Sequence, residues 1–383
     1  MFKYGVLGGG RQGTAAAYDL AMFGDAEYVA IGDADCERAV ESAERLNELV
    51  GREVAVPSRL DVTDARALRE WLSPLDAILS AVPYYLNSEV AKACVDTRTS
   101  MADLGGNTDV VQEELGLHRK AKAAGISIVP DCGLMPGLGN ILAVYGLGKV
   151  KAPKWVHIYV GGLPQSPKPP LNYKLSFNIE GLTNEYAGDA VILRGGAVSS
   201  VPALSELEMV DFPEPLGRCE AFITAGGTST VPWSLAGEIE EYWEKTVRYP
   251  GHRDQIKLFS DIGLLDLTPV NVDGKKVIPR ELFHRLVAPL ITFDDDPDVV
   301  VLRVDVGDEK GLRLRIEMLD FYDPETNFMS MERTTGFPAA MVVEMLARGE
   351  IPAGAQPLEK VVPADLYVSR LKDRGLELTE TLF

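Results

Sequence analysis

The chain opens with a short apolar, β-prone run, Phe2 to Leu7, that stops at Gly8-Gly9-Gly10-Arg11-Gln12-Gly13. The alanine-rich stretch from Thr14 to Phe23 then reads as a helix. A second strand, Tyr28-Val29-Ala30-Ile31-Gly32, closes on Asp33, and Cys36 to Leu49 spaces its Ala, Leu and Val as one helical face. These segments make one complete βαβ unit. The alternation continues with a helix over Asp64–Leu72 and a buried-type strand over Asp76–Val82, stopped by Pro83. Asn87 to Thr97 is a helix with Asn87 as its N-cap, and Met101–Leu104 is a strand ended by Gly105-Gly106. A helix over Val111–Ala124 and a strand over Ile126–Val129 complete the series. Such alternation predicts a mostly parallel sheet with helices on both faces.

The texture changes after Asp131. Residues 154–161 read as a strand, followed by a proline-rich stretch. Val299–Val306, Leu312–Phe321 and Phe328–Arg333 read as three antiparallel strands joined by polar turns. The expected division is a dinucleotide-binding domain over 1–133, a substrate and dimerisation domain of mixed or antiparallel sheet over 134–333, and a C-terminal helical segment over 334–383 that returns to the first domain. The expected fold class is therefore α/β: a doubly wound parallel sheet of Rossmann type plus an α+β domain.

The first loop carries the clearest chemistry. Gly8 permits the tight turn out of the strand, Gly10 lets a pyrophosphate approach the backbone, and Gly13 lets the helix pack closely on the sheet. The helix start offers free N–H groups and partial positive charge to phosphates. Asp33, at the end of the next strand, is placed to accept hydrogen bonds from an adenosine ribose and to repel a 2′-phosphate, which favours NAD over NADP. Gly8, Gly10, Arg11, Gln12, Gly13, Asp33 and Ala81 are the expected cofactor contacts, and Tyr84 is expected beside the nicotinamide.

Composition narrows the partners. Apolar residues make up 46% of the chain, and 57 acidic against 38 basic residues give a net charge of −19. Such a surface disfavours nucleic acid and anionic lipid. The four cysteines (Cys36, Cys94, Cys132, Cys219) form no CxxC pair, which argues against a structural zinc and a disulfide scaffold. No apolar run approaches the roughly 18 residues of a membrane span, and Met1–Leu7 leaves no room for a signal peptide, so a cytoplasmic protein is expected. The run Phe293-Asp294-Asp295-Asp296-Pro297 reads as a solvated turn rather than a metal site, and no metal is expected. Cys132 reads as a small buried residue, and His118, His157 and His284 as structural.

Several later phrases are more specific than the first loop. They are Asp103-Leu104-Gly105-Gly106, Pro130-Asp131-Cys132-Gly133, Tyr159-Val160-Gly161-Gly162-Leu163-Pro164, Gly226-Gly227-Thr228-Ser229-Thr230 and Lys245-Thr246-Val247-Arg248-Tyr249-Pro250-Gly251-His252. In this order they resemble the saccharopine dehydrogenase family, from Gly8 to Phe337, and within it the branch that oxidises lysine at its ε-carbon. The resemblance implies NAD-dependent oxidation of an amino-acid amine to an imine that hydrolyses or cyclises, in a homodimer or higher homo-oligomer. It implies Arg248 as the partner of the substrate α-carboxylate, Asp103 and His252 as candidates for holding or deprotonating the amine and activating water, and Gly162, Thr228 and Ser229 as substrate contacts. The structural alternatives are a loop cap for Asp103, a satisfied turn histidine for His252 and an ion pair for Arg248. Two other functions stay open: reductive condensation of an amine with a carbonyl compound, as in saccharopine- or carboxyspermidine-type enzymes, and a non-catalytic dinucleotide-binding regulator.

Overall fold

The computed structural model describes residues 1–293 and 296–383. The chain divides into two compact units, one of residues 1–148, 324–328 and 332–377, the other of residues 149–323, 329–331 and 378–383.

In the first unit the strands are β1 (Phe2–Leu7), β2 (Ala26–Asp33), β3 (Ala55–Arg59), β4 (Ala77–Ser80), β5 (Ser100–Asp103) and β6 (Ser127–Val129). They alternate with α1 (Arg11–Phe23), α2 (Cys36–Val50), α3 (Ala65–Leu72), α4 (Asn87–Thr97), α5 (Thr108–Leu115) and α6 (His118–Ala124), and α7 (Gly139–Lys149) follows. The sheet runs β3-β2-β1-β4-β5-β6 with every pair parallel. That order places the strand-order reversal between β1 and β4, where α/β sheets bind ligands at their carboxyl ends. Ala15, Ala16 and Ala17 are fully buried, so α1 lies close against the sheet. Asp35, Asp64 and Asn107 each accept N–H groups from the first turn of α2, α3 and α5.

The second unit holds β7 (Trp155–Pro164), α8 (Ile179–Glu185), β8 (Asp189–Arg194), β9 (Ala197–Pro202), β10 (Glu208–Asp211), β11 (Arg218–Ile223), α9 (Val231–Ser234), β12 (Glu241–Arg248) and α10 (His252–Asp261). A two-stranded ribbon, β13 (Val270–Val272) with β14 (Lys275–Val277), precedes α11 (Pro279–Ile291), β15 (Asp298–Asp308) and β16 (Gly311–Phe321). The remaining elements are α12 (Ser330–Ala347), β17 (Gly354–Ala355), α13 (Leu358–Val361), α14 (Ala364–Leu371) and β18 (Thr379–Leu382). The second sheet is mixed: β10-β11-β12-β7-β15-β16-β18, with β8 paired to β12 and β9 to β8. Only β12 with β7 is parallel among these pairs. Tyr173, Tyr186, Phe222, Phe283 and Ile291 form one apolar core of this unit, and Leu163, Val247, Val299 and Val301 another.

Four local expectations change. Residues 328–333 are not a strand: Ser330 begins α12, and the Asp298 carboxylate accepts the N–H groups of Ser330 at 2.6 Å and Met331 at 2.9 Å, which caps a helix start. The edge strand beside β16 is instead β18. The expected helix over 111–124 is two helices broken at Gly116-Leu117. Asn87 is not a cap, because its side-chain oxygen is buried and accepts the Ser80 hydroxyl at 2.8 Å. Of the acidic run after Phe293, Asp294 and Asp295 lie outside the described residues, while Asp296 is buried rather than solvated and accepts the Ser166 N–H at 3.1 Å. In addition, β17 extends the first sheet beyond β6 in parallel.

Candidate functional site

The loop between β1 and α1 is shaped as the sequence requires. Gly8 has φ +101°, and a Cβ there would meet the Ala81 carbonyl oxygen at 2.7 Å. A Cβ on Gly13 would collide with the Gly8 carbonyl, whereas one on Gly10 would meet no described atom within 4 Å. The start of α1 has no side-chain cap, the condition in which a helix N-terminus can receive an anion. The Gln12 amide nitrogen and oxygen are both buried without a hydrogen-bond partner among the described residues. An open cradle, an uncapped helix start and an orphaned amide together fit a dinucleotide pyrophosphate. Arg11 is half-exposed and lies 3.8 Å from the Glu332 carboxylate.

Asp33 closes β2 with both carboxylate oxygens engaged: one accepts the Gly9 N–H at 2.8 Å, the other the Asp35 N–H at 2.8 Å. Each oxygen keeps a lone pair for a ribose hydroxyl. The Arg38 guanidinium stands 3.8 Å away.

At the neighbouring strand ends, Ala81 follows β4 and donates its N–H to Leu7 at 2.8 Å. Tyr84 packs against Gly106, where an added Cβ would approach it to 3.0 Å. Asp103, the last residue of β5, is fully buried. One of its oxygens accepts the N–H groups of Gly105 at 2.6 Å and Asp131 at 3.1 Å. The other faces the buried carboxyl of Glu114 on α5, a residue the sequence reading did not single out. Burial raises both groups, and Glu114 far more, because Asp103 is relieved by its two N–H donors. Cys132, beside them, is buried and its thiol is pushed well up by desolvation and then by Asp103 and Asp131, so it stays protonated.

The second unit gathers Arg248 and His252 around Tyr186. Arg248 closes β12 and is buried; its Nε donates to the Tyr186 hydroxyl at 3.1 Å, its Nη1 to the Val247 carbonyl at 2.9 Å, and its Nη2 reaches Glu185 at 3.5 Å. The guanidinium also lies 4.8 Å from the Tyr173 ring centre. His252 Nδ1 is 3.0 Å from the Leu171 carbonyl, which can only accept, so Nδ1 carries the proton and Nε2 accepts the Tyr186 hydroxyl at 3.0 Å. Burial and the nearby Arg248 push His252 down to about 3. The structure thus places it as a neutral link that holds Tyr186, with both nitrogens occupied. Glu185, half-buried, is raised to about 7 by burial against the pull of Arg248. Glu244 on β12 is buried, bonded to Thr224 and Thr246 at 3.2 Å each, and raised to about 8 by burial and then Glu185. Gly227 makes room for it, since a Cβ there would strike the Glu244 carboxylate. The sequence reading missed Tyr173, Glu185, Tyr186 and Glu244; only the phrases around Gly227 and Arg248 bordered them.

The other substrate candidates are engaged within the unit. The Thr228 hydroxyl donates to the Val191 carbonyl, Ser229 is buried with φ +45°, and the close approach at Gly162 is made by the Met331 methyl. Among the described residues no group of three or more His, Cys, Asp or Glu side chains is placed to hold a metal. No helix among them is long and apolar enough to cross a membrane.

Strand order, glycine loop and Asp33 define a dinucleotide-binding α/β protein with a second, mixed-sheet unit. Residues 4–129 match the saccharopine dehydrogenase NADP binding domain and residues 133–376 the saccharopine dehydrogenase C-terminal domain. The chain belongs to the saccharopine dehydrogenase family. It is 29% identical over 237 residues to the L-glutamate-forming, NADP(+) saccharopine dehydrogenase of Pyricularia oryzae, covering 60% of this chain and 51% of that protein. The match therefore spans about half the length of that relative. It is 22% identical over 404 residues to carboxynorspermidine synthase of Vibrio cholerae, covering 97% and 94% of the two chains. The fold is that of apo saccharopine dehydrogenase (L-Glu forming) from Saccharomyces cerevisiae, with TM-score 0.77, 21% identity and full coverage of both chains.

Proposed function

We propose that the chain is a nicotinamide-dependent oxidoreductase that oxidises the ε-carbon of L-lysine with NAD, giving aminoadipate semialdehyde or its cyclic piperideine-6-carboxylate and ammonia. The observation that carries the substrate class is the group of buried Arg248 and Glu244 with half-buried Glu185. One guanidinium beside two carboxylates complements the head of an amino-acid zwitterion: Arg248 meets the α-carboxylate, and Glu185 with Glu244 meets the α-ammonium. Tyr186, fixed between Arg248 and His252, orients the guanidinium.

Bound NAD supplies the hydride acceptor. The reacting amine must first lose a proton so that its lone pair drives hydride departure and leaves an iminium; water then adds to the carbon and ammonia leaves. The Asp103–Glu114 pair, with one proton between two carboxyls, keeps one negative charge at the end of β5. Asp33 selects NAD over NADP. Four unpaired cysteines suit the reducing cytoplasm. A second copy of the chain is the proposed macromolecular partner, received by α11, where Leu282, Leu286 and Leu290 form an exposed strip. Glu281 and Arg285 along its edge cross-pair in an antiparallel copy.

The experiment is NADH formation from purified protein, NAD and L-lysine without any oxo acid, with ammonia measured in parallel. Turnover supports the reading. A carboxynorspermidine synthase-like condensation is the second reading, favoured by the end-to-end match to the Vibrio protein. NAD(P)H consumption only when an amine and an aldehyde are supplied together would establish it instead.

A further inference from the structure

We propose that Glu114 is a positioning residue for the dinucleotide: a single proton shared between its carboxyl and that of Asp103 holds the turn between β5 and α5 in the shape the dinucleotide needs. The proposal rests on the dinucleotide reading above. Its basis is a matter of donors. Asp103 Oδ2 and both Glu114 carboxyl oxygens are buried and have no N–H or O–H partner among the described residues, and the two carboxyls lie near enough to hydrogen-bond each other. Two carboxylates cannot do so; one of them must carry a proton. That bond would tie the end of β5 to the last turn of α5, across a turn in which Gly105 and Gly106 have φ +75° and +126°. Gly105 fits under the Asp131 carboxylate and Gly106 against Tyr84, so the turn has little freedom once the tie is made. Ala81 and the Gly8 loop stand at the same ends of the adjacent strands β4 and β1.

The surroundings keep the proton in place. The groups facing Glu114 are the carboxyls of Asp103, Asp131 and Glu113 and the thiols of Cys94 and Cys132. On the packed helix α4, Lys92 is bonded to Glu89 at 2.6 Å and faces Glu113. Loss of the proton would leave two like charges together in a dry site, which the turn can relieve only by opening.

The test compares wild type with Glu114→Gln, which keeps a donor that does not titrate in this range, and Glu114→Leu, which has none. Affinity for NAD is read by fluorescence titration from neutral to alkaline pH, without substrate. Wild type is expected to lose roughly tenfold or more as the pair deprotonates, E114Q to stay flat, and E114L to bind weakly throughout. Equal pH slopes in wild type and E114Q, or equal binding by E114L and E114Q, would overturn the proposal. Failure of wild type to bind any dinucleotide would remove the underlying reading. Thermal unfolding then decides the shared proton alone. The folded state keeps a proton that the unfolded chain releases above about 4.5, so wild-type stability falls as pH rises. The melting difference between E114Q and wild type must therefore widen with pH, and a constant difference refutes the tie.

Discussion

Replacing Asp33 with serine should reverse the nucleotide preference. The carboxylate is prearranged by the Gly9 and Asp35 N–H groups, each at 2.8 Å, and offers its remaining lone pairs to the two ribose hydroxyls. Hydrogen bonds to a charged group contribute about 1.5–3 kcal/mol each. With the lower figure for an acceptor already shared, two such bonds come to about 3 kcal/mol, or roughly a hundredfold in the Kd for NAD. A 2′-phosphate about 4 Å from Asp33 would meet a repulsion of about 4 kcal/mol per unit charge at an effective dielectric near 20. Arg38, 3.8 Å from the same carboxylate and half-exposed, offsets part of this. A net repulsion of about 2 kcal/mol, with the 2′-hydroxyl hydrogen bond of about 1.5 kcal/mol that a phosphate cannot donate, then separates NAD from NADP by about 3.5 kcal/mol, several-hundredfold, in the wild type. In Asp33→Ser the NAD affinity should fall about a hundredfold while NADP binding improves about thirtyfold, and a further Arg38→Ala should erase the NADP gain. Titration of both nucleotides at fixed ionic strength measures this, since an exposed guanidinium is screened by salt. The reasoning fails if wild type binds NADP as tightly as NAD, or if the serine variant weakens both alike. The Pyricularia relative is named for NADP, which makes the comparison a sharp one.

Arg374→Met should destabilise the first unit by about 3–5 kcal/mol, because it strips the fully buried Asp19 of a two-pronged partner at 2.7 and 3.0 Å. Urea unfolding measures it, and Asp19→Leu combined with Arg374→Met should restore most of the loss. Leu286→Asp should convert a dimer to a monomer without loss of folded structure, read by light scattering and circular dichroism; a monomeric wild type would refute the role given to α11.

The first unit was largely legible because its signals are local. Gly8, Gly13 and Asp33 do their work through neighbours a few residues away or at the end of the next strand, and the alternation from β1 to β6 repeats a simple period. Where it failed, the cause was distant. β3, Ala55-Val56-Pro57-Ser58-Arg59, is an edge strand with mostly exposed side chains and so shows no apolar period. Phe328–Arg333 alternates apolar and polar residues like a strand, but Asp298, far earlier in the chain, caps it as a helix. The candidate site was legible only in part for the same reason. Arg248 and His252 sit in one recognisable phrase, yet Tyr186, which links them, and Leu171, which fixes the tautomer, come from other elements. Glu114 looks like any acidic residue on a helix until the fold sets it against Asp103. Burial, which the sequence does not display, turned His252 from a titrating group into a neutral link.

The same burial gives the amino-acid reading a thermodynamic signature. Glu185 is raised to about 7 and Glu244 to about 8, so near neutral pH the two carboxyls together hold on the order of one proton. An ammonium arriving beside them favours their charged forms and pulls both values down, so binding must expel that proton. Calorimetry of L-lysine binding in buffers of different ionisation enthalpy should then report roughly one proton released near pH 7, less as pH rises past 8, and none near pH 9 and above. Glu244→Gln should cut the release to the Glu185 share, its amide oxygen accepting from one of Thr224 and Thr246 and its NH2 donating to the other. A ligand bound through its carboxylate to Arg248 alone would pull the glutamates in the opposite direction, because one negative charge would enter a site that already holds two acids; it would take up protons. The sign of the exchange therefore decides whether this cluster receives an amino-acid zwitterion or an anion, independently of whether turnover is ever seen.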